Sequence, residues 1–141
     1  MSPHDPKVDL LKSIPLFEGL GERELEQIAR LVDEVDVPVG KVLMREGEPG
    51  DEMFIVVSGS FTINRHGNVI RECGAGAALG EMALMSEGPR TATVTANEPG
   101  RLLVVGHREF HSLLEVAPGI SKHLLATLAR QIRSLDADAI A

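Results

Sequence analysis

Apolar residues in the first quarter of the chain recur with a helical period. They lie at positions i, i+3, i+4 and i+7 of one helical face: Leu25, Ile28, Ala29 and Val32. Glutamates near the start of this stretch suit the positive end of a helix dipole. The pattern predicts an amphipathic helix here. Residues 1–9 are polar and contain two prolines, which predicts a flexible N-terminal arm.

From residue 35 onward, apolar and polar residues alternate, and turn-forming residues interrupt the short apolar runs. The runs predicted as strands are 42–44, 53–57, 61–63, 69–71, 91–96 and 101–105. Glycines at 50, 59, 67, 76, 88 and 100 punctuate them at intervals of 8 to 12 residues. Short strands at this spacing are typical of an antiparallel sandwich or barrel. We therefore expect a β region over about 35–106.

The helical period returns after residue 106. Residues 107–115 predict a short helix, and Pro118 suits the first turn of the next one. An apolar seam follows at spacings of three and four residues: Leu125, Leu128, Ile132 and Leu135. We expect a single domain over 10–136, with two C-terminal helices within 107–136 and a frayed tail over 137–141.

The composition excludes several classes of function. The 141 residues include 14 Lys and Arg against 21 Asp and Glu, a net charge of −7, whereas nucleic-acid affinity depends on neutralising phosphates. Aromatic residues are 3% of the chain, which leaves no stacking platform for single strands. The apolar runs are far short of the about 20 residues that a membrane span needs. With one cysteine and no signal-peptide pattern, the sequence predicts a cytoplasmic protein that binds neither nucleic acid nor membrane.

Segment 74–91 interrupts the rhythm of short strands and contains the residues best suited to bind a ligand. Gly80 precedes a short run of helix formers that a Gly-Pro pair ends. The first N–H groups of a helix attract anions, and Arg90 offers the planar donor fork that suits phosphate. Glu81 is suited to accept a hydrogen bond from a sugar hydroxyl. Together with an apolar barrel interior, these groups predict a site for a nucleotide with a compact phosphate.

Several segments, taken in order, resemble the cyclic nucleotide-binding domain family of catabolite-activator-type regulators, kinase regulatory subunits and cyclic-nucleotide-gated channels. Leu16-Phe17 with Leu25 resembles the family's N-terminal helix. Residues 46–60, EGEPGDEMFIVVSGS, resemble its second and third strands. GEMAL at 80–84 and PRTATV at 89–94 resemble its phosphate-binding cassette. The resemblance runs from about residue 14 to residue 133. It implies a mainly β fold, an antiparallel β-roll of the jelly-roll or double-stranded β-helix type, with flanking helices.

The resemblance also implies a ligand and the residues that bind it. Arg90 would hold the cyclic phosphate, Glu81 would accept from the ribose 2′-hydroxyl, and Thr91 would place a hydroxyl near the phosphate or a guanine amino group. Backbone amides of the cassette would complete the sugar-phosphate pocket: Gly80, Met82 and Ala83. Apolar candidates for the base pocket lie on one strand and on the last helix: Phe61, Ile63, Leu128 and Leu135. The implied ligand is cAMP or cGMP, with no metal and no other cofactor.

Three further patterns have simpler structural interpretations. The GAGAALG run lacks the last small residue of a dinucleotide-binding fingerprint, and the strands beside it are predicted to be antiparallel. His107 and His111 share a helix face, but no third metal ligand accompanies them. Cys73 is interpreted as a small core residue.

The patterns predict a regulatory binding module and not an enzyme, because no nucleophile or acid–base pair stands in a motif context. The C-terminal seam is interpreted as a lid over the base, as a homodimer contact or as packing on the barrel. The effector protein is unknown. Two alternatives stay open: a ligand-independent interaction module with the same fold, and the sensor part of a longer channel or transcription regulator.

Overall fold

The computed structural model describes residues 6–14, 17–80, 88–119, 121–122, 125–126 and 129. Within them the helices are α1 (Pro6–Lys12), α2 (Glu22–Ala29) and α3 (His107–Val116). The first four strands are β1 (Asp33–Val37), β2 (Val42–Met44), β3 (Glu52–Ser58) and β4 (Phe61–Arg65). The others are β5 (Asn68–Cys73), β6 (Ala78–Leu79), β7 (Thr93–Ala96) and β8 (Gly100–Gly106).

These strands form two four-stranded antiparallel sheets, in the orders β1-β8-β3-β6 and β2-β7-β4-β5. The chain passes from one sheet to the other at every connection between consecutive strands except the one between β4 and β5. The antiparallel β-roll expected from the sequence is therefore confirmed. Strand β6, which the sequence did not predict, pairs antiparallel with β3. That pairing is incompatible with the parallel crossover of a dinucleotide-binding fold.

The central strands β3 and β8 are buried on both faces. Met53 and Ile55 pack in an outer core with the helices, whereas Phe54 and Val56 pack in an inner core between the two sheets. Because side chains alternate along a strand, a strand covered on both sides must be apolar at successive positions. This explains the unbroken apolar runs at 53–57 and 102–105.

The expectation of a flexible arm over residues 1–9 is wrong for residues 6–9, which belong to α1. Pro6 is the first residue of that helix, a position where the missing N–H costs nothing. Val8 and Leu11 are fully buried in the outer core, and the Lys7 ammonium group donates to the Val32 carbonyl. Tertiary packing thus stabilises a helix whose sequence is polar on average.

The C-terminal part of the described chain agrees with the predicted helices. α3 spans His107–Val116, and Pro118 is the first helical residue after Ala117. The described residues between 118 and 129 are helical, and Leu125 among them is 60% exposed. None of the helices described in the structure is both long and apolar enough to cross a membrane.

Candidate functional site

Arg90 is the one charged residue in the described part of the chain that is buried, with only 6% of its surface exposed. It lies in the segment that leads into β7. Its main chain is fixed by the loop between β2 and β3, because its N–H donates to the Glu48 carbonyl at 2.8 Å and its carbonyl accepts from the Gly47 N–H at 2.9 Å. A bridge between Pro49 and Pro89 continues this pairing. The sequence therefore anchors the base of the Arg90 side chain rigidly.

Two glycines make room for the guanidinium group. A Cβ on Gly50 would lie only 1.9 Å from Arg90 Nε, and a Cβ on Gly80 would lie 2.5 Å from Nη1. Nη1 donates a long hydrogen bond of 3.5 Å to the Gly80 carbonyl. The Phe54 ring adds a cation–π contact, with its centroid 5.9 Å from Cζ. Close approach of backbone to a functional group is a common reason for glycine.

The described residues compensate the charge of Arg90 only in part. Burial lowers the pKa of the guanidinium, and the nearby carboxylates of Glu52 and Asp51 partly offset that effect. Both carboxylates belong to exposed residues, and none of the described acidic residues forms an ion pair with Arg90. A charged group removed from water is costly unless an opposite charge and hydrogen bonds compensate it. A phosphate would supply both.

A hydrogen-bond network on the surface holds the next residues in place. Arg65 Nε donates to the Thr91 carbonyl at 3.0 Å, and Thr93 Oγ1 accepts from the Glu46 N–H at 3.0 Å. The Glu46 carboxylate accepts from the His66 N–H at 2.9 Å and lies 3.1 Å from His66 Nδ1. The network ties the segment after Arg90 to the β2–β3 loop and to the turn between β4 and β5.

The structure brings some of the predicted site residues together. The Gly80 carbonyl accepts a hydrogen bond from the Arg90 guanidinium, and Thr91, the next residue after Arg90, is exposed. Phe61 and Ile63 lie side by side in the inner core, 0% and 7% exposed. The other predicted residues lie outside the described part of the chain: Glu81, Met82, Ala83, Leu128 and Leu135.

Sequence reasoning missed Gly50 and the carbonyl of Glu48 as parts of this site. Both lie in the segment EGEPGD, about forty residues before Arg90. The available signal was the resemblance of that segment to a family motif, which gave no reason to connect it with the arginine.

Two histidines on α3 lie close together, but the described residues provide no metal site around them. His107 and His111 have ring centroids 4.7 Å apart on the exposed side of α3. Within the described ranges, no group of three or more His, Cys, Asp or Glu side chains could hold a metal ion. Among the described residues, these two histidines therefore have no third side chain with which to bind a metal ion.

The family model for the cyclic nucleotide-binding domain matches residues 34–116, which run from β1 to the end of α3 and include Arg90. The chain belongs to the cyclic nucleotide-binding domain family. This assignment confirms the resemblance seen in the sequence segments.

Two curated relatives illustrate the settings in which the domain occurs. A cyclic nucleotide-gated potassium channel of Mesorhizobium japonicum is 42% identical over 113 residues, 80% of this chain and 31% of the channel. The cyclic AMP receptor protein of Thermus thermophilus is 30% identical over 131 residues, 89% of this chain and 61% of the receptor. The chain thus spans less than two thirds of either relative.

Solved structures share the fold. The catabolite activator protein of Thermus thermophilus superposes with a TM-score of 0.81 at 30% identity, covering 88% of this chain and 61% of that one. The regulatory subunit of a protein kinase A from Trypanosoma brucei, described as cAMP-independent, superposes with a TM-score of 0.75 at 23% identity, covering 83% and 43%. The second likeness concerns the fold alone. Since one fold can host several functions, the site must decide the function of this chain.

Proposed function

We propose that this chain is a regulatory sensor module that binds cAMP and that Arg90 holds the cyclic phosphate. One observation carries the proposal: Arg90 is a buried residue to which none of the described carboxylates is paired, in a segment whose sequence resembles the phosphate-binding cassette of the family. The cAMP preference is supported by the receptor relative, which is named for cyclic AMP.

The chemistry follows from the donor fork of arginine. Two N–H groups of one guanidinium match two oxygens of a cyclic phosphate, and such charge-assisted bonds contribute about 1.5–3 kcal/mol each. The bound anion would replace the water that burial removes from Arg90. Glu81 is our candidate acceptor for the ribose 2′-hydroxyl, and the backbone amides around it are candidates to close the sugar-phosphate pocket: Gly80, Met82 and Ala83.

The base pocket decides between cAMP and cGMP. Thr91 is exposed beside Arg90, so its hydroxyl is a candidate partner for the amino group of guanine. Phe61 and Ile63 are candidates for the apolar floor of the pocket, because the inner core to which they belong also contains Phe54, the residue that contacts Arg90. We therefore propose cAMP as the main ligand and cGMP as a second one whose affinity depends on Thr91.

We further propose that ligand binding repositions the C-terminal segment that follows Ala117. Leu125 in this segment is an apolar residue with 60% of its surface exposed, and Leu128 and Leu135 continue the same sequence seam. A ligand shifts a conformational equilibrium only by binding one state more tightly than the other. Contact between the base and this seam would provide that difference. Equal amide hydrogen exchange over residues 118–136 with and without saturating cAMP would contradict the mechanism.

Calorimetric titration of the nucleotide-stripped protein with cAMP and then cGMP tests the proposal. We expect binding to the wild-type chain, and loss of at least about a hundredfold in affinity for Arg90→Ala, because two charge-assisted bonds disappear. Arg101→Ala is the matched control, since Arg101 is a surface arginine that pairs with Glu34 and Asp36. Equal binding by the wild-type chain and Arg90→Ala would contradict the assignment.

The second candidate function is a protein-interaction module that needs no nucleotide. It is compatible with the fold, because one fold can host several functions. This candidate would be favoured if millimolar cAMP or cGMP, added to the folded wild-type chain, produced no heat of binding and no spectral change. The effector would then have to be sought among protein partners.

A further inference from the structure

Gly50 differs from three other glycines of the turns in the reason it must be glycine. Gly40, Gly47 and Gly67 have positive φ angles of 81–85°, and a Cβ on any of them would meet nothing within 4 Å. Gly50 has no positive φ, but its Cβ would lie 1.9 Å from Nε, 2.3 Å from Cζ and 2.6 Å from Nη2 of Arg90. All three contacts are with the guanidinium group. The position therefore requires glycine for space and not for backbone conformation.

We infer that Gly50 is a positioning residue for the nucleotide site: its bare backbone lets the Arg90 guanidinium lie in the orientation that receives the phosphate. A methyl group there would lie 1.9 Å from Arg90 Nε, whereas an ordinary contact is about 3.4 Å. The guanidinium would therefore have to move by about 1.5 Å. A misplacement of about 1 Å is enough to weaken an oriented interaction severely.

If a methyl group is added at position 50, the Arg90 side chain must move, because the Arg90 main chain is held in place. The Arg90 main chain is held by two hydrogen bonds to the same loop that contains Gly50. At Gly80, the backbone is close to Nη1 and the glycine itself has a φ of +82°. The loop and the arginine thus form one unit in which the guanidinium has a single defined place. The assignment of this unit to phosphate binding rests on the proposed function, whereas the steric argument stands without it.

The steric part is tested on ligand-free protein by NMR of the arginine Nε–Hε groups. The Arg90 signal is identified by its loss in Arg90→Lys. We expect Gly50→Ala to shift this signal and to speed its exchange with solvent about tenfold or more, because the guanidinium leaves its buried place. Gly119→Ala is the control, since Gly119 has no positive φ and nothing within 4 Å of a Cβ. An unchanged Arg90 signal in Gly50→Ala would overturn the inference.

The double variant Gly50→Ala/Arg90→Ala guards against a failure of Gly50→Ala to fold. Alanine ends at Cβ and has none of the atoms that the new methyl group would meet. We therefore expect the double variant to be as stable as Arg90→Ala by thermal unfolding. If Gly50→Ala and the double variant both fail to fold, glycine serves the loop alone and the inference is overturned.

The functional part is tested by a cycle of cAMP affinities, which NMR titration extends to millimolar dissociation constants. We expect Gly50→Ala to weaken binding about tenfold to a hundredfold in the presence of Arg90 and less than about threefold in the Arg90→Ala background. Equal losses in both backgrounds would overturn the positioning role. If the wild-type chain binds no cAMP while the Nε signal responds as expected, the proposed function fails and the steric assignment stands.

Discussion

Replacement of Arg90 by methionine should separate stability from ligand binding. Methionine retains an unbranched chain that fills the site, and it removes the charge and the guanidinium donors. Burial lowers the pKa of Arg90, which means that the folded protein disfavours the charged form relative to water. We therefore expect Arg90→Met to be at least as stable as the wild-type chain when no nucleotide is present.

The expected gain follows from the contacts of Arg90. Among contacts with described residues, the variant loses one long hydrogen bond of 3.5 Å and a cation–π contact at 5.9 Å, each contributing about 0.5–1 kcal/mol. It is relieved of the desolvation of a charged residue that is 6% exposed, and such desolvation amounts to several kcal/mol in proteins. The balance is a stabilisation of about 1–3 kcal/mol in the free energy of unfolding.

Urea unfolding followed by circular dichroism measures this balance, since the chain has no Trp or Tyr to report by fluorescence. Arg101→Met is the control: Arg101 Nε lies 2.9 Å from Asp36 on the surface, where an ion pair contributes little, so its loss should leave the urea midpoint nearly unchanged. A destabilisation of Arg90→Met by more than about 1 kcal/mol would refute the reasoning, because the interactions of Arg90 in the free protein would then exceed its desolvation.

Three further variants or reactions test the packing. Gly59→Ala should destabilise the fold by about 1–3 kcal/mol, because its Cβ would lie 2.8 Å from the Gly100 Cα and its φ is +99°; an unchanged urea midpoint would contradict this. Phe61→Ala should cost about 3–5 kcal/mol, since the ring is fully buried in the inner core; a loss below about 1 kcal/mol in the same assay would place the ring at the surface. Burial raises the pKa of the Cys73 thiol, so less thiolate forms at a given pH. Iodoacetamide should therefore alkylate the folded protein at pH 8 more slowly than the urea-unfolded chain. Equal alkylation rates, followed by mass spectrometry, would contradict the pKa shift.

The strands and α3 could be predicted because their patterns are local. Alternation and turn residues marked most of the β region, and the run at 53–57 identified β3. That both faces of β3 are covered was not predictable, since the helices that cover one face are distant in sequence. The two-residue strand β6 was missed because its pairing with β3, and not its own sequence, defines it.

The functional site could be predicted in part. Arg90 stood out because its motif resembles a family cassette, and the structure gives it a buried guanidinium beside Gly80. The contribution of Gly50 could not be predicted, because it depends on a loop that folds back onto residues about forty positions later. α1 was missed for a related reason: Val8 and Leu11 gain their burial only from packing against other elements.

The central claim is that the buried charge of Arg90 is retained for an anionic nucleotide. Its most direct test compares the urea unfolding of the wild-type chain and Arg90→Met, each without nucleotide and with cAMP. We predict that the variant is the more stable protein without nucleotide. At a cAMP concentration of about a hundred times the dissociation constant, the wild-type chain should gain about 2.7 kcal/mol and the variant almost nothing. The wild-type chain then becomes the more stable protein if the variant's advantage without nucleotide is below about 2.7 kcal/mol, and the difference between the two nearly vanishes if that advantage is about 3 kcal/mol. Equal stabilisation of both proteins by cAMP, or stabilisation of neither, would contradict the claim.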